Sequence, residues 1–189
     1  MRARNTRPYG IDFSCSNICT LSRIEYFRVM NMERKINFKL LIPAIILPLA
    51  VGGLAAYITK ENYVNYESLY KPLLSPPGMV FGIVWSILYV LMGYASYRVL
   101  VSDANKARKS RALKLYGIQL AVNFLWPIIF FNLQMYWLAF LWALLLLGAV
   151  FLCWLLFAHI DTWAGRVLVP YLLWCGYAVY LSLGIALLN

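Results

Sequence analysis

The residues of this chain that could do chemistry are aromatic side chains and one carboxamide, all in apolar segments. Trp85 and Tyr89 are four residues apart, Asn123 precedes Trp126 by three residues, and Trp174 stands in the last apolar segment. Indole and phenol faces stack on flat apolar molecules, and a buried amide can orient such a ligand. Taken singly, each aromatic residue is more often a packing residue or an interfacial anchor, and the amide can equally join two helices. The residue types therefore leave two interpretations open, a binding site and helix packing.

Acid–base and metal chemistry have little support in the sequence. The apolar segments contain no paired carboxylates, and the single histidine, His159, stands near Asp161 in a predicted short loop. A solvated or helix-capping role is favoured over catalysis at such a position. None of the four cysteines stands with the partners that a zinc site requires. We expect no hydrolase or metalloenzyme chemistry, no metal site and no required cofactor.

Five apolar segments must position these residues. The chain has 189 residues, of which 63% are hydrophobic and only 13% charged, whereas roughly a quarter are charged in soluble proteins. A helix needs roughly 20 apolar residues to cross a bilayer. The segments of that length are Phe38–Thr59, Met79–Val101, Ala112–Leu133, Trp137–Ala158 and Val167–Leu188. Because no segment alternates in polarity as barrel strands do, the sequence predicts an all-α integral membrane protein, a bundle of five transmembrane helices.

The chain divides into two predicted parts. Residues 38–189 form the five-helix transmembrane domain, and residues 1–37 form a basic N-terminal arm without a continuous apolar stretch of signal-peptide type. The arm is expected to be disordered. Alternatively, the start is mis-assigned and translation begins at Met30 or Met32.

The basic residues predict the orientation in the membrane. The net charge of +10 is concentrated in clusters between apolar segments, which is typical of membrane loops, and no nucleic-acid partner is expected. Fifteen of the seventeen Lys and Arg residues fall on the side of the N-terminal arm, whereas Lys60 and Lys71 on the other side are balanced by Glu61 and Glu67. The positive-inside rule therefore predicts a multi-pass protein of the cell (cytoplasmic) membrane with its N-terminus in the cytoplasm and its C-terminus outside.

The third helix has two faces of different character. Gly117 and Ala121 form a small-xxx-small motif, which lets two helices approach closely. At 100° per residue, Asn123 and Trp126 lie on the opposite side of the helix. One side could then contact a second copy of the chain while the other contacts a ligand. A competing motif of two alanines, Ala139 and Ala143, stands on the fourth helix.

The loop between the first two helices contains a rigid proline-rich turn, Pro76-Pro77-Gly78. Proline fixes the backbone angle φ and removes a hydrogen-bond donor, so this segment can fold back as a lid without secondary structure of its own. The alternative is a turn that simply starts the second helix.

From about residue 38 to its end, the chain resembles the tryptophan-rich sensory protein family, also called the translocator protein, TspO/MBR or peripheral benzodiazepine receptor family, and it is identified as a bacterial member. Four motifs carry the resemblance, in the same order on five apolar segments. They are Lys71-Pro72 followed by Pro76-Pro77-Gly78, Trp85 with Leu88-Tyr89, Gln119-Leu120 with Asn123 and Trp126, and Pro170-Tyr171 with Trp174 and Asn189.

The resemblance implies a five-helix bundle whose pocket opens towards the loop after the first helix and binds porphyrins, sterols or benzodiazepine-like compounds. Carried over residue by residue, the pocket comprises Pro76, Trp85, Tyr89, Asn123, Trp126, Trp174, Ala178 and Leu181. Two positions depart from the family pattern. Leu74 stands where the family usually has tryptophan, and Ser182 replaces a common asparagine.

The function implied is that of a membrane receptor or transporter-like protein that binds porphyrins, and possibly sterol-like ligands, in stress or porphyrin homeostasis. One alternative is an enzyme that degrades porphyrin oxidatively in light, with Trp85 and Trp174 as reactive residues. Another is a structural membrane scaffold. The expected partners are the lipid bilayer, a porphyrin or related hydrophobic small molecule, and a second copy of the chain bound through Gly117 and Ala121 on the third helix.

Overall fold

The computed structural model describes residues 36–62, 66 and 68–189, and the described residues contain five long helices and no strand. Every helix is long and apolar enough to cross a membrane. The helices are α1 (Phe38–Thr59), α2 (Gly78–Leu100), α3 (Lys106–Pro127), α4 (Tyr136–Ile160) and α5 (Thr162–Leu188), with a π-helical turn (Ile128–Asn132) directly after α3. This confirms the predicted all-α bundle of five transmembrane helices. The predicted N-terminal arm lies outside the described residues, apart from its last two positions.

Two helices begin more than one turn before their apolar segments, because polar residues cap them. The Asn105 side chain accepts a hydrogen bond from the Ala107 backbone N–H (2.8 Å), so α3 starts in the basic loop, before Ala112. Asp161 Oδ1 accepts from the Ala164 N–H (3.0 Å), so α5 starts before Val167. Counting apolar residues finds the membrane-crossing part of a helix and misses its polar first turn.

Around the bundle the helices follow the order α1, α2, α5, α4, α3, and α3 packs against α1 to close the ring. Glycines permit the closest approaches. A Cβ atom at Gly93 of α2 would lie 2.6 Å from the backbone of Ala44 and Ile45 in α1, and one at Gly165 of α5 would lie 2.6 Å from Ala158 in α4. Small residues at helix crossings are the usual means of packing helices in lipid.

The π-helical turn after Pro127 brings aromatic rings into the interior. In this turn the Leu133 N–H donates to the Ile128 carbonyl five residues earlier (3.0 Å). The consecutive rings of Phe130 and Phe131 are both buried there. The turn thus widens α3 at one end of the bundle and adds an aromatic wall to the space between the helices.

At the opposite end of the bundle, Asp161 joins α2 to the start of α5. Its Oδ2 accepts from Arg98 Nη2 (2.8 Å) and Nε (3.1 Å), while its Oδ1 caps α5. The carboxylate is therefore a structural anchor. His159 Nδ1 lies 2.7 Å from the Leu155 carbonyl on the exposed surface of the last turn of α4.

Candidate functional site

A cavity of about 580 Å³ lies between α1, α2 and α3. Its α1 side consists mainly of small residues, whereas its other walls are mainly aromatic and contain the Asn123 carboxamide. The cavity reaches one end of the bundle at Lys60 and Gly78, the residues that flank the loop after α1. The residues that matter most for its shape are Gly52, Gly53, Phe81, Trp85, Tyr89, Asn123, Trp126 and Phe131.

The α1 wall has few side-chain atoms because two successive glycines, Gly52 and Gly53, face the cavity. The Tyr89 ring lies so close to Gly52 that a Cβ atom there would be 2.0 Å from Tyr89 Cε2. A Cβ atom at the neighbouring Gly53 would meet no atom within 4 Å. Gly52 therefore makes room for the Tyr89 ring, and Gly53 leaves open space within the cavity.

The aromatic wall follows a single face of α2. Phe81, Trp85 and Tyr89 are spaced by four residues, and their successive ring centroids are 6.1 Å and 5.6 Å apart. Phe81 also lies 6.4 Å from the Trp126 ring of α3. Such rings present flat, polarisable faces to a ligand in the cavity. Sequence reasoning missed Phe81, although the four-residue spacing that singled out Trp85 and Tyr89 extends back to it.

A chain of buried hydrogen bonds fixes Asn123 at the cavity wall. The Tyr89 hydroxyl donates to Asn123 Oδ1 (2.7 Å), Asn123 Nδ2 donates to the Tyr171 hydroxyl oxygen (3.2 Å), and the Tyr171 hydroxyl donates to Gln119 Oε1 (2.8 Å). These four residues join α2, α3 and α5 in apolar surroundings, where polar groups require partners. Asn123 therefore links helices and lines the cavity, so the two alternatives from the sequence are compatible.

The hydrogen-bond directions define what the cavity can offer a ligand. An amide nitrogen has two N–H groups, and Asn123 uses one of them on Tyr171. A hydroxyl oxygen that donates its hydrogen keeps two lone pairs, as Tyr89 does here. The site can thus present one amide donor and one phenol acceptor beside aromatic faces, which suits orientation of a flat, mainly apolar ligand.

The structure does not bring all the predicted ligand-binding residues into one cavity. Trp85, Tyr89, Asn123 and Trp126 line the cavity of about 580 Å³. Of the other four, one lies in the loop before α2 and three lie on α5. Pro76 and Trp174 line a separate groove of about 650 Å³, Leu181 lines a void of about 20 Å³, and Ala178 is buried without bordering any of the three spaces.

An aromatic partition separates these spaces. Phe81, Trp126 and Phe131 border both the cavity and the small void next to Leu181. On its far side Phe81 lies 5.8 Å from the Trp174 ring, measured between centroids. A ligand in the cavity therefore meets Phe81 before it can reach Trp174.

The small void is closed at the loop end by Tyr66. Its ring centroid lies 6.1 Å from Phe130 and 5.9 Å from Phe131, and Lys71 Nζ lies 4.5 Å from the centre of the Tyr66 ring. This loop residue thus fills the end of the bundle between α3 and α5.

The rest of the loop folds back onto the end of α5. The Tyr177 hydroxyl donates to the Leu74 carbonyl, and the Tyr180 hydroxyl donates to the Leu73 carbonyl (2.7 Å). Asn189 Nδ2 donates to the Tyr70 carbonyl (3.0 Å), while Asn189 Oδ1 accepts from the Tyr70 N–H (3.1 Å). The segment folds back as expected from the prolines, but it lies against α5, and none of residues 70–77 lines the cavity, so a role as a lid stays a prediction. Pro77 precedes the first residue of α2, as the alternative of a helix-starting turn predicts.

Leu74 does not reach the cavity. Its backbone φ is +69°, and its side chain is 81% exposed. A left-handed backbone is unusual for a residue other than glycine, and here it lets the carbonyl face Tyr177. The Leu74 side chain is therefore exposed and does not line the cavity.

The third helix separates its two faces as the wheel predicts. Gly117 and Ala121 are exposed, and a Cβ atom at Gly117 would meet nothing within 4 Å. Asn123 is buried on the other side. The competing pair on α4, Ala139 and Ala143, is buried inside the bundle, with the Ala139 carbonyl accepting from Trp126 Nε1 (3.1 Å). Only the α3 motif of these two is free to contact a second chain.

Metal-binding geometry is absent from the part of the chain that the structure describes. No three His, Cys, Asp or Glu side chains come together there. The described cysteines, Cys153 and Cys175, are both buried as free thiols.

Comparison with known proteins identifies the family. The model of the TspO/MBR family matches residues 44–188. The chain is 37% identical over 156 residues to the translocator protein homolog of Schizosaccharomyces pombe, covering 77% of this chain and 90% of that protein. It is 36% identical to the tryptophan-rich protein TspO of Chlorobaculum tepidum, covering 76% and 91%, and 38% identical to the human translocator protein, covering 67% and 75%. A family match over most of the chain, on a bundle of five membrane helices, shows that this protein belongs to the TspO/MBR family.

Proposed function

We propose that this protein is a membrane receptor or transporter-like protein that binds a porphyrin or related tetrapyrrole in the cavity between α1, α2 and α3. The observation that carries the proposal is the combination of about 580 Å³ of space, an aromatic wall and a buried, oriented carboxamide. Small-molecule sites typically have volumes of about 300–1,000 Å³, apolar walls and a few fixed polar groups.

Both the interior and the mouth of the cavity offer groups that suit the proposed ligand. The rings of Trp85 and Tyr89 supply faces for stacking on a flat macrocycle, and Asn123 supplies one donor to orient it. Lys60 stands at the mouth, where its ammonium can pair with the carboxylate side chains of a porphyrin. We therefore expect the macrocycle to enter first and its carboxylates to remain at the end of the bundle.

Binding has more support than oxidative breakdown of the ligand. Breakdown in light through Trp85 and Trp174 would place both indoles against the porphyrin. Only Trp85 borders the cavity, while Trp174 lies in the groove behind Phe81. A purely structural scaffold would need no cavity of this size, so the binding function accounts for more of the molecule.

We also propose that two copies associate through α3. Gly117 and Ala121 present backbone to the outside, and Ile118 beside them is exposed. Close backbone approach at such motifs is a common basis of helix association in membranes. Because Asn123 faces inward from the same helix, dimer formation and ligand binding would use opposite sides of α3.

The proposed orientation follows from the charged ends of the bundle. Lys106, Arg108, Lys109, Arg111 and Lys114 stand in the first turns of α3, at the same end as Arg98 and Arg166. We place this end in the cytoplasm of the cell in which the membrane lies. The cavity mouth at Lys60 then opens on the outer side.

A porphyrin titration of the purified chain tests the binding proposal. Protoporphyrin should quench tryptophan fluorescence saturably, and Trp85→Phe should remove a large share of the quenching because its indole lines the cavity. Trp163→Phe is the matched control, since Trp163 is exposed at the opposite end under the Arg166 guanidinium. Quenching that is unsaturable, or equal in the two variants, would count against this cavity as the binding site.

A further inference from the structure

A cluster of lysines stands on one side of the first turns of α3, away from the proposed porphyrin cavity. Lys106, Lys109 and Lys114, together with Ser110 and Leu113, line a shallow depression of about 440 Å³. Lys106, Ser110 and Lys114 are spaced by four residues, so they form a row that is about 12 Å long along the helix.

Among the residues that the structure describes, no carboxylate lies within ion-pair distance of these three ammonium groups. Lys109 Nζ donates to the carbonyls of Ser102 (3.0 Å) and Leu100 (3.2 Å), which holds it in place and leaves one of its three N–H groups. Lys106 and Lys114 are exposed, and the ion pair described at this end of the bundle joins Arg98 to Asp161 and includes neither of them. The depression is therefore a fixed concentration of positive charge.

The depression lies where α3 enters the membrane. Ala112 and Tyr116 are buried in the bundle, and beyond Lys114 the helix continues without charge to Pro127. Leu113 borders the lysines on the side of the apolar segment. A molecule that fits here carries negative charge at the membrane surface and an apolar body below it, and lysine side chains of this kind extend towards the headgroup level.

We propose that this depression binds the phosphate of an anionic phospholipid. The Lys106 and Lys114 ammonium groups, the remaining Lys109 N–H and the Ser110 hydroxyl donate to the phosphate oxygens, and Leu113 contacts the start of an acyl chain. The proposal does not depend on the porphyrin site, which lies at the other end of the bundle.

The chain offers a control pair that removes the same charge from the same helix. At 100° per residue, Arg108 and Arg111 lie on the opposite side of α3 from the depression. Both are exposed and neither lines it. Lys106→Gln/Lys114→Gln and Arg108→Gln/Arg111→Gln therefore differ in the position of the lost charges and not in their number. Lys109 stays unchanged in both because it caps α2.

The test measures lipid binding to the full chain in detergent by native mass spectrometry. Each protein is titrated with phosphatidylglycerol or phosphatidylcholine, and helix content is checked by circular dichroism. The wild-type chain should prefer phosphatidylglycerol. Each juxtamembrane lysine should contribute about fivefold to the attraction, so the double lysine variant should bind phosphatidylglycerol on the order of 25-fold more weakly. The arginine control should change by less than about threefold, since a more distant charge is screened.

Three results would overturn the proposal. Equal loss in the two double variants would mean a general attraction of anionic lipid to a basic surface. Equal binding of the two lipids by the wild-type chain would mean that the net negative charge of the lipid is not recognised. Displacement of phosphatidylglycerol by millimolar inorganic phosphate would mean that the depression binds a free anion and not a lipid.

Discussion

Replacing Gly52 with alanine should weaken porphyrin binding, although the change adds only one methyl group. The new Cβ atom would lie 2.0 Å from Tyr89 Cε2, whereas ordinary contacts begin at 3.4 Å, so the ring must retreat by about 1.4 Å. The hydrogen bond from Tyr89 to Asn123 is 2.7 Å long and would not survive a displacement of that size. Asn123 then loses the partner that holds its amide at the cavity wall.

The size of the effect follows from the buried hydrogen bond. Leaving a buried acceptor unpaired costs about 1–3 kcal/mol, and the better helix propensity of alanine returns at most about 1 kcal/mol. We expect the affinity for protoporphyrin, measured by tryptophan quenching, to fall about tenfold, which corresponds to about 1.4 kcal/mol. The midpoint of thermal unfolding in detergent should fall as well.

Gly148→Ala is the matched control, because Gly148 of α4 does not line the cavity and a Cβ atom there would meet nothing within 4 Å. Its affinity should stay within about threefold of wild type, a change of less than about 0.7 kcal/mol. Tyr89→Phe removes the same hydrogen bond without moving the ring, so its effect and that of Gly52→Ala should not add in the double variant. Additive losses, or equal losses for the two glycine variants, would refute the reasoning.

Three further predictions concern the partition, the dimer and the ion pair. Phe81→Ala should open the cavity towards Trp174, so that bound porphyrin quenches the Trp174 indole as well. If the quenching in this variant, which retains Trp174, is the same as in the wild-type chain, the partition is contradicted. Gly117→Leu should lower the dimer fraction in cross-linking while porphyrin affinity stays constant, whereas Ala143→Leu should destabilise the monomer because its side chain is 3% exposed; loss of binding with an intact dimer in Gly117→Leu would reverse the assignment. Asp161→Asn should reduce the free energy of unfolding by about 2 kcal/mol, since it removes the negative charge that pairs with the partly buried Arg98 guanidinium, while the asparagine oxygen can still cap α5; an unchanged thermal midpoint would exclude the anchoring role.

The helices could be predicted because a membrane span is a local property. An apolar segment of sufficient length has no alternative to a helix in lipid, so α1 needed no knowledge of its neighbours. The ends of α3 and α5 were harder to predict, because Asn105 and Asp161 extend them into charged sequence. A cap depends on side-chain geometry that hydropathy does not contain.

The candidate site was predictable where it depends on one helix. Trp85 and Tyr89 share a face by spacing alone, and the rotation between Gly117 and Asn123 follows from helix geometry. The separation of Trp174 from the cavity depends on how α2 packs against α5, with the Phe81 ring between them. That contact joins residues far apart in the chain, and no local pattern encodes it.

The most direct test of the cavity as the porphyrin site is the NMR spectrum of the indole N–H groups. In the protein labelled with ¹⁵N at tryptophan, the seven signals can be assigned by substitution and followed as protoporphyrin is added. A bound macrocycle shifts nearby signals through its ring current. We predict large shifts for Trp85 and Trp126, a smaller shift for Trp174, and none for Trp137 and Trp163. Shifts confined to Trp174, or spread evenly over all the indoles, would contradict binding in this cavity.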